Sequence, residues 1–156
     1  MHDLRFSDAK SSTRNDENSD ETRALFSYDY AIIRVVPRVE MGEGFNVGVI
    51  LFCSEARFLD AKIAFDSARW ERFAPNVNCE LIEEHLQTIP LVCAGGKLAG
   101  TIGNMTQRER FHWLVAPHST MIQTSSAHCG LCHEPETALQ KLFEKLVSNR
   151  TQINTD

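Results

Sequence analysis

The chain has 156 residues and a mass of 17.6 kDa, with 42% hydrophobic and 24% charged residues and a mean hydropathy of −0.27, the profile of a soluble globular protein. No apolar run approaches the roughly 18 residues that span a bilayer, which excludes a membrane protein. The formal charge is −5, with 6 acidic and 4 basic residues in 1–26 and 15 and 12 in 27–156, so neither part carries the Lys and Arg excess of a nucleic-acid binder.

From Ser7 to Arg23 the only apolar residue is Ala9, too little to offset the entropy of ordering the segment. Residues 1–26 are therefore expected to be a disordered tail, 27–150 a single domain and 151–156 a second disordered end. The start MHDLRF lacks the apolar core of a secretory signal, and the five cysteines are odd in number, so a cytoplasmic protein with free thiols is expected.

Order is predicted to begin at Tyr28, where YDYAIIRVV is rich in β-branched and aromatic residues, and to stop at Pro37. Val47 to Cys53 (VGVILFC) is apolar at every position but Gly48 and reads as a central strand covered on both faces. From Arg57 to Phe65, Leu59, Ala61, Ile63 and Phe65 alternate with Asp60 and Lys62, giving a third strand joined to the second by a hairpin through Ser54, Glu55 and Ala56.

Asn78 can cap a helix whose first turns carry Glu80, Glu83 and Glu84 and whose stripe is Ile82, Leu86, Ile89 and Cys93. Pro90 is expected to kink or interrupt it before Gly95 and Gly96 end it. Thr106 to Trp113 mixes helix and strand signals. TMIQTS, after Pro117, reads as a fourth strand, and Pro135 opens a final helix with Leu139, Leu142, Phe143 and Leu146 on one face. The order predicts an α+β fold, a mainly antiparallel sheet of about four strands with helices packed on one face.

Most familiar chemistries fail on inspection. HCGLCH (128–133) contains C-x-x-C-H, but haem attachment needs export, and zinc needs a second ligand pair that Cys79 and Cys93 do not supply. Two small residues in a turn explain the pair better, and neither metal nor cofactor is expected. The glycines of MGEGFNVG miss the G-x-G-x-x-G spacing and precede a strand instead of a helix. No paired acids, G-x-S-x-G elbow or H-E-x-x-H stand out.

Polar residues remain where an apolar core would not place them. Arg34 shares a strand face with Tyr30 and Ile32, where arginine is costly unless paired or at an edge. Arg38, Glu40 and Asn46 follow it. Arg108, Arg110 and His112 lead into APHSTMIQTSSAH, dense in donors and acceptors. Singly, each is explained by a structural hydrogen bond; their concentration in two segments points to a binding site made of Arg34, Arg38, Asn46, His112, Ser119, Gln123 and His128. Arg34, His112, Gln123 and His128 are expected in one polar cluster.

YDYAIIRVVPRVEMGEGFNVGVILFC, CAGG and RERFHWLVAPHSTMIQTSSAHCGLC resemble a bacterial family known as domain of unknown function 3037, over about residues 28–147. The resemblance rests on Arg34 to Pro37, Asn46 to Val49, Phe111 to Pro117, Ser119-Thr120, Gln123, His128 and Gly130-Leu131. It assigns no activity. Members are encoded beside proteins resembling HipA-type kinases, which implies such a kinase as partner. The chain departs from the family at His118, where members carry arginine, and at Cys129, where they carry a threonine-like residue. The first weakens a phosphate-binding role for that loop and the second marks the C-x-x-C as local to this protein.

Two functions follow. A non-catalytic binding or adaptor module is favoured, because no nucleophile, metal set or nucleotide loop survives. The alternative is a small enzyme acting on a phosphorylated or nucleotide-like substrate through the Arg, His and Gln cluster. A concave pocket holding Arg34, His112 and His128 would favour the enzyme; an exposed apolar patch or a free sheet edge would favour the adaptor.

Overall fold

Alternation along Val47 to Cys53 organises the molecule, because successive side chains of a strand point to opposite faces. Ile50 and Phe52 enter one core with Ile33, Val35 and Leu59, whereas Val49, Leu51 and Cys53 enter a second core with Leu139 and Val147. The structure is a computed structural model and describes residues 23–38, 43–117 and 121–148. The expected N-terminal tail, up to residue 22, and the expected disordered C-terminus lie outside the described residues. β1 begins at Phe26, ahead of the strand start predicted at Tyr28.

The sheet is antiparallel, as expected for the α+β class, and has five strands: β1 (Phe26–Arg38), β2 (Glu43–Cys53), β3 (Phe58–Ile63), β4 (Ile122–Thr124) and β5 (His128–Cys132). The order is β3-β2-β1-β4, with β5 also on β1. β1 continues through Pro37, whose missing N–H is tolerated because the β1–β2 register shifts between Val35 and Arg38. The expected β2–β3 hairpin closes with a turn over 54–57, in which the Arg57 N–H donates to the Ser54 carbonyl.

Among the described residues four α-helices accompany the sheet: α1 (Ser67–Phe73), α2 (Cys79–Ala94), α3 (Gln107–Val115) and α4 (Pro135–Phe143), with a 3-10 segment over Lys97–Asn104 and a π-helical turn over Glu144–Ser148. Asn78 caps α2 by accepting from the Leu81 N–H at 3.1 Å, and the predicted stripe Ile82, Leu86, Ile89 and Cys93 is buried. Pro90 does not interrupt α2, which runs on to Ala94. The proline is exposed, so its ring points away from the sheet and water can reach the carbonyl its missing N–H leaves unpaired.

Helices cover both faces, where the sequence predicts one. Leu86, Ile89, Phe111 and Leu114, from α2 and α3, pack with Ile33 and Ile50, while Leu139 of α4 and Val147 of the following turn pack with Val49 and Leu51 on the reverse. The physical reason is the all-apolar β2, which exposes hydrophobic side chains on both sides and is stable only when both are covered. Each fully buried Ile or Leu contributes about 1.5–3 kcal/mol. Among the described residues no helix is long and apolar enough to cross a membrane.

Candidate functional site

Arg34 is exposed although its strand is central: on this face Phe26, Tyr28 and Tyr30 of β1 pack against the α4 core, and Arg34 lies further along β1, outside that cluster. Its Nη2 donates to the Gly44 carbonyl at 3.3 Å, and a Cβ on Gly44 would sit 2.9 Å from that nitrogen, so the missing side chain is what lets the guanidinium lie there. Asn46 faces Arg34 from β2 and Gln123 faces it from β4, making a polar row across three strands. Asn46 Nδ2 donates to the Leu146 carbonyl at 3.1 Å, which ties the row to the turn after α4.

His128 lies further along the same face, opposite Tyr30, with the two rings 5.4 Å apart. It is four β1 residues from the Arg34 pair, about 13 Å at the usual rise of a strand. His112 is elsewhere. It is an exposed residue of α3, whose Phe111 and Leu114 pack on the opposite face, so the sheet stands between His112 and Arg34. Arg38 ends β1 opposite Glu43. Ser119 lies outside the described residues.

Ser125, read only as part of a donor-rich strip, makes the sheet edge. Between β4 and β5 the pairing to β1 slips by one residue, a bulge. There the Ser125 hydroxyl accepts the Ile32 N–H at 2.9 Å and the Ser125 N–H donates to the Ile32 carbonyl at 2.9 Å. The hydroxyl in turn donates to the Ser126 carbonyl.

β5 replaces the turn expected at HCGLCH. Extended backbone sends Cys129 and Cys132 to opposite faces, about 10 Å apart, so the two thiols cannot hold one ion together. Among the described residues no group of three His, Cys, Asp or Glu side chains gathers into a metal site. Gly130 is required where it stands, because a Cβ there would run into the ring of Tyr28. Burial, with Cys132 and Tyr30 adding, pushes the Tyr28 hydroxyl pKa up, and burial with Cys53 raises that of Cys132. The buried Cys93 thiol is pushed up to about 12, by burial first and then by Asp60, with Arg110 opposing. A thiol so placed stays protonated and is a poor nucleophile.

Register determines which backbone groups of β5 face outward. Ile32 and Val36 turn their backbone toward the β4–β5 side, Val36 donating to the Met121 carbonyl at 2.7 Å. In an antiparallel ladder alternate residues bond the same neighbour, so Tyr30, Tyr28 and Phe26 bond His128, Gly130 and Cys132. Cys129 and Leu131 therefore point their N–H and C=O away from the sheet, and among the described residues no strand pairs with that side. The opposite edge differs. On β3 the outward N–H of Ala61 is taken by Asp60 Oδ1 at 2.8 Å, and the Arg57 carbonyl by Gln107 Nε2 at 3.0 Å.

The side chains of Cys129 and Leu131 lie on the α2–α3 face beyond the reach of those helices. Leu131 is 66% exposed. The open edge thus carries one exposed apolar side chain, Leu131. A cavity of about 380 Å³ between β3 and α2, lined among others by Lys62, Glu83 and Gln87, is remote from the Arg34 row.

None of the curated proteins and none of the solved structures compared with the chain matches it. A family model described as protein of unknown function (DUF3037) matches residues 30–147, which include β1 from Tyr30, the other four strands and all four helices. The chain belongs to that family.

Proposed function

We propose that this protein is a non-catalytic binding module of the cytoplasm that takes an extended segment of a protein partner along the outer edge of β5. The carrying observation is the contrast between its two sheet edges: at β3 the outward Ala61 N–H is taken by Asp60 and the neighbouring Arg57 carbonyl by Gln107, whereas β5 presents the outward groups of Cys129 and Leu131 beside the exposed Leu131 side chain. Natural sheets guard edges that are not used, and strand addition gives affinity through main-chain bonds. The separation of His112 from Arg34 and His128 weighs against an active site built from the three. A HipA-like kinase, implied by the family resemblance, is the partner to test. Co-purification with that kinase is expected for the unaltered chain and lost in Leu131→Pro, which removes an outward N–H without touching the ladder to β1. Leu131→Lys serves the same purpose should the proline variant fail to fold. Equal capture by a folded edge variant contradicts the reading.

One observation favours the enzyme as a second reading: Arg34 has no carboxylate partner among the described residues and stands in a row with Asn46 and Gln123, suited to a phosphorylated or nucleotide-like anion. Phosphate titration followed by amide shifts at Arg34 and Asn46 tests it. Saturable shifts that vanish in Arg34→Ala would support it, and their absence would remove it.

A further inference from the structure

We infer that the cleft between β3 and α2 is a binding site for a small organic amine, an apolar body the size of a single ring that carries an ammonium group. The cleft borders β3, at the end of the sheet away from β5, so this site is independent of the docking strand. Its volume of about 380 Å³ falls within the range of small-molecule sites, which begins at about 300 Å³. Two walls form it. The extended chain turns Ala61, Ile63 and Phe65 toward α2, and the helical repeat brings Glu83, Leu86, Gln87 and Pro90 to face them. Leu86 is buried whereas Ile63 and Phe65 keep part of their surface open, which leaves an apolar floor that a ligand can cover.

The charge beside that floor is negative. α2 carries Glu80, Glu83 and Glu84 and no Lys or Arg, and Lys62 sends its ammonium to the reverse face of the sheet, where Nζ lies 5.6 Å from the centre of the Phe143 ring. Glu83 is the fifth residue of α2, beyond the first turn in which the helix dipole rewards a carboxylate. Among the described residues it has neither an ion pair nor a hydrogen bond.

Acceptors accompany the carboxylate. Pro90 brings no N–H to the Leu86 carbonyl four residues before it, and both residues line the cleft. On β3 the Ala64 N–H donates to the Val47 carbonyl, so by alternation Lys62 and Asp60 also bond β2 and Ala61 turns its carbonyl to the open side. An ammonium group has three N–H donors and no acceptor, which suits a carboxylate and two carbonyls, whereas an anion in the same place would be repelled by Glu83.

Titration of the full chain with phenethylamine, followed by amide chemical shifts, tests this. Saturable shifts are expected at Ile63, Glu83 and Gln87, and at the indole N–H of Trp70, whose ring stacks on Phe65 with centres 5.3 Å apart. Glu83→Gln should bind the amine about tenfold more weakly, and phenethyl alcohol, the same body without the charge, should bind the unaltered chain more weakly by about the same factor. The alcohol comparison depends on no variant folding. Equal affinity for amine and alcohol would overturn the inference. So would a folded Glu83→Gln chain that binds the amine as the unaltered chain does, or the absence of saturable shifts at Ile63, Glu83 and Gln87.

Discussion

Ser125 takes the place of a strand residue opposite Ile32: its hydroxyl receives the Ile32 N–H and its own N–H reaches the Ile32 carbonyl, both at 2.9 Å. This one residue carries the β1 ladder across the bulge between β4 and β5. Ser125→Ala should cost about 1–2 kcal/mol, the price of a part-buried N–H left without its acceptor. Urea unfolding checks the loss, and exchange at the Ile32 amide should accelerate. Unchanged stability would show that water replaces the hydroxyl there.

Arg110 is 8% exposed and ends α2 by donating to the carbonyls of Val92 at 2.8 Å and Cys93 at 2.6 Å, while its Nε bonds the Met105 carbonyl. A cation at the negative end of a helix is favourable, and the carbonyls need donors. Arg110→Ala is expected to destabilise by about 2–4 kcal/mol, because it strands three acceptors and opens a gap against Gly95. Arg110→Lys should recover only part, since one ammonium does not span the fork. Thermal unfolding of the two variants distinguishes these outcomes.

Stability should fall in alkali through Cys93. Its folded pKa, about 12, lies above the ordinary thiol value of 9.0, so the neutral thiol is the form the fold favours. The contribution is therefore complete below pH 9 and is lost as pH rises toward 12, by on the order of 4 kcal/mol at most. Cys93→Ala should be less stable at pH 7 yet show a shallower decline between pH 9 and 11 in urea titrations. An identical slope would place the alkaline transition elsewhere.

Arg57 closes the β2–β3 turn with φ 52°, a left-handed conformation that costs a side-chain-bearing residue about 1 kcal/mol. Arg57→Gly keeps the carbonyl that Gln107 uses and should leave the melting temperature unchanged or raise it slightly. A clear drop would show that the arginine side chain holds the turn.

The strands with strong periodicity and the capped, striped helix α2 were legible in the sequence because local pattern and tertiary role agree there. The sequence of α3 is ambiguous although Thr106 and Glu109 form a capping box, since Phe111 and Trp113 suit a strand equally well. β5 was not legible: Cys-Gly-Leu-Cys has no β-branched residue, and its extended form comes from pairing with β1. In the candidate site, the nearness of Arg34, Gln123 and Asn46 followed from strand pairing, whereas the side of the sheet that His112 occupies depended on how α3 packs, which spacing does not encode.

Amide exchange in the complex of this chain with the HipA-like kinase reads the use of the edge at single residues. On saturation, Cys129 and Leu131 should slow by about tenfold or more while Ala61, already bonded to Asp60 on the guarded edge, does not change. Unchanged rates at Cys129 and Leu131 in a complex that forms, with protection appearing elsewhere, would contradict β5 as the docking strand.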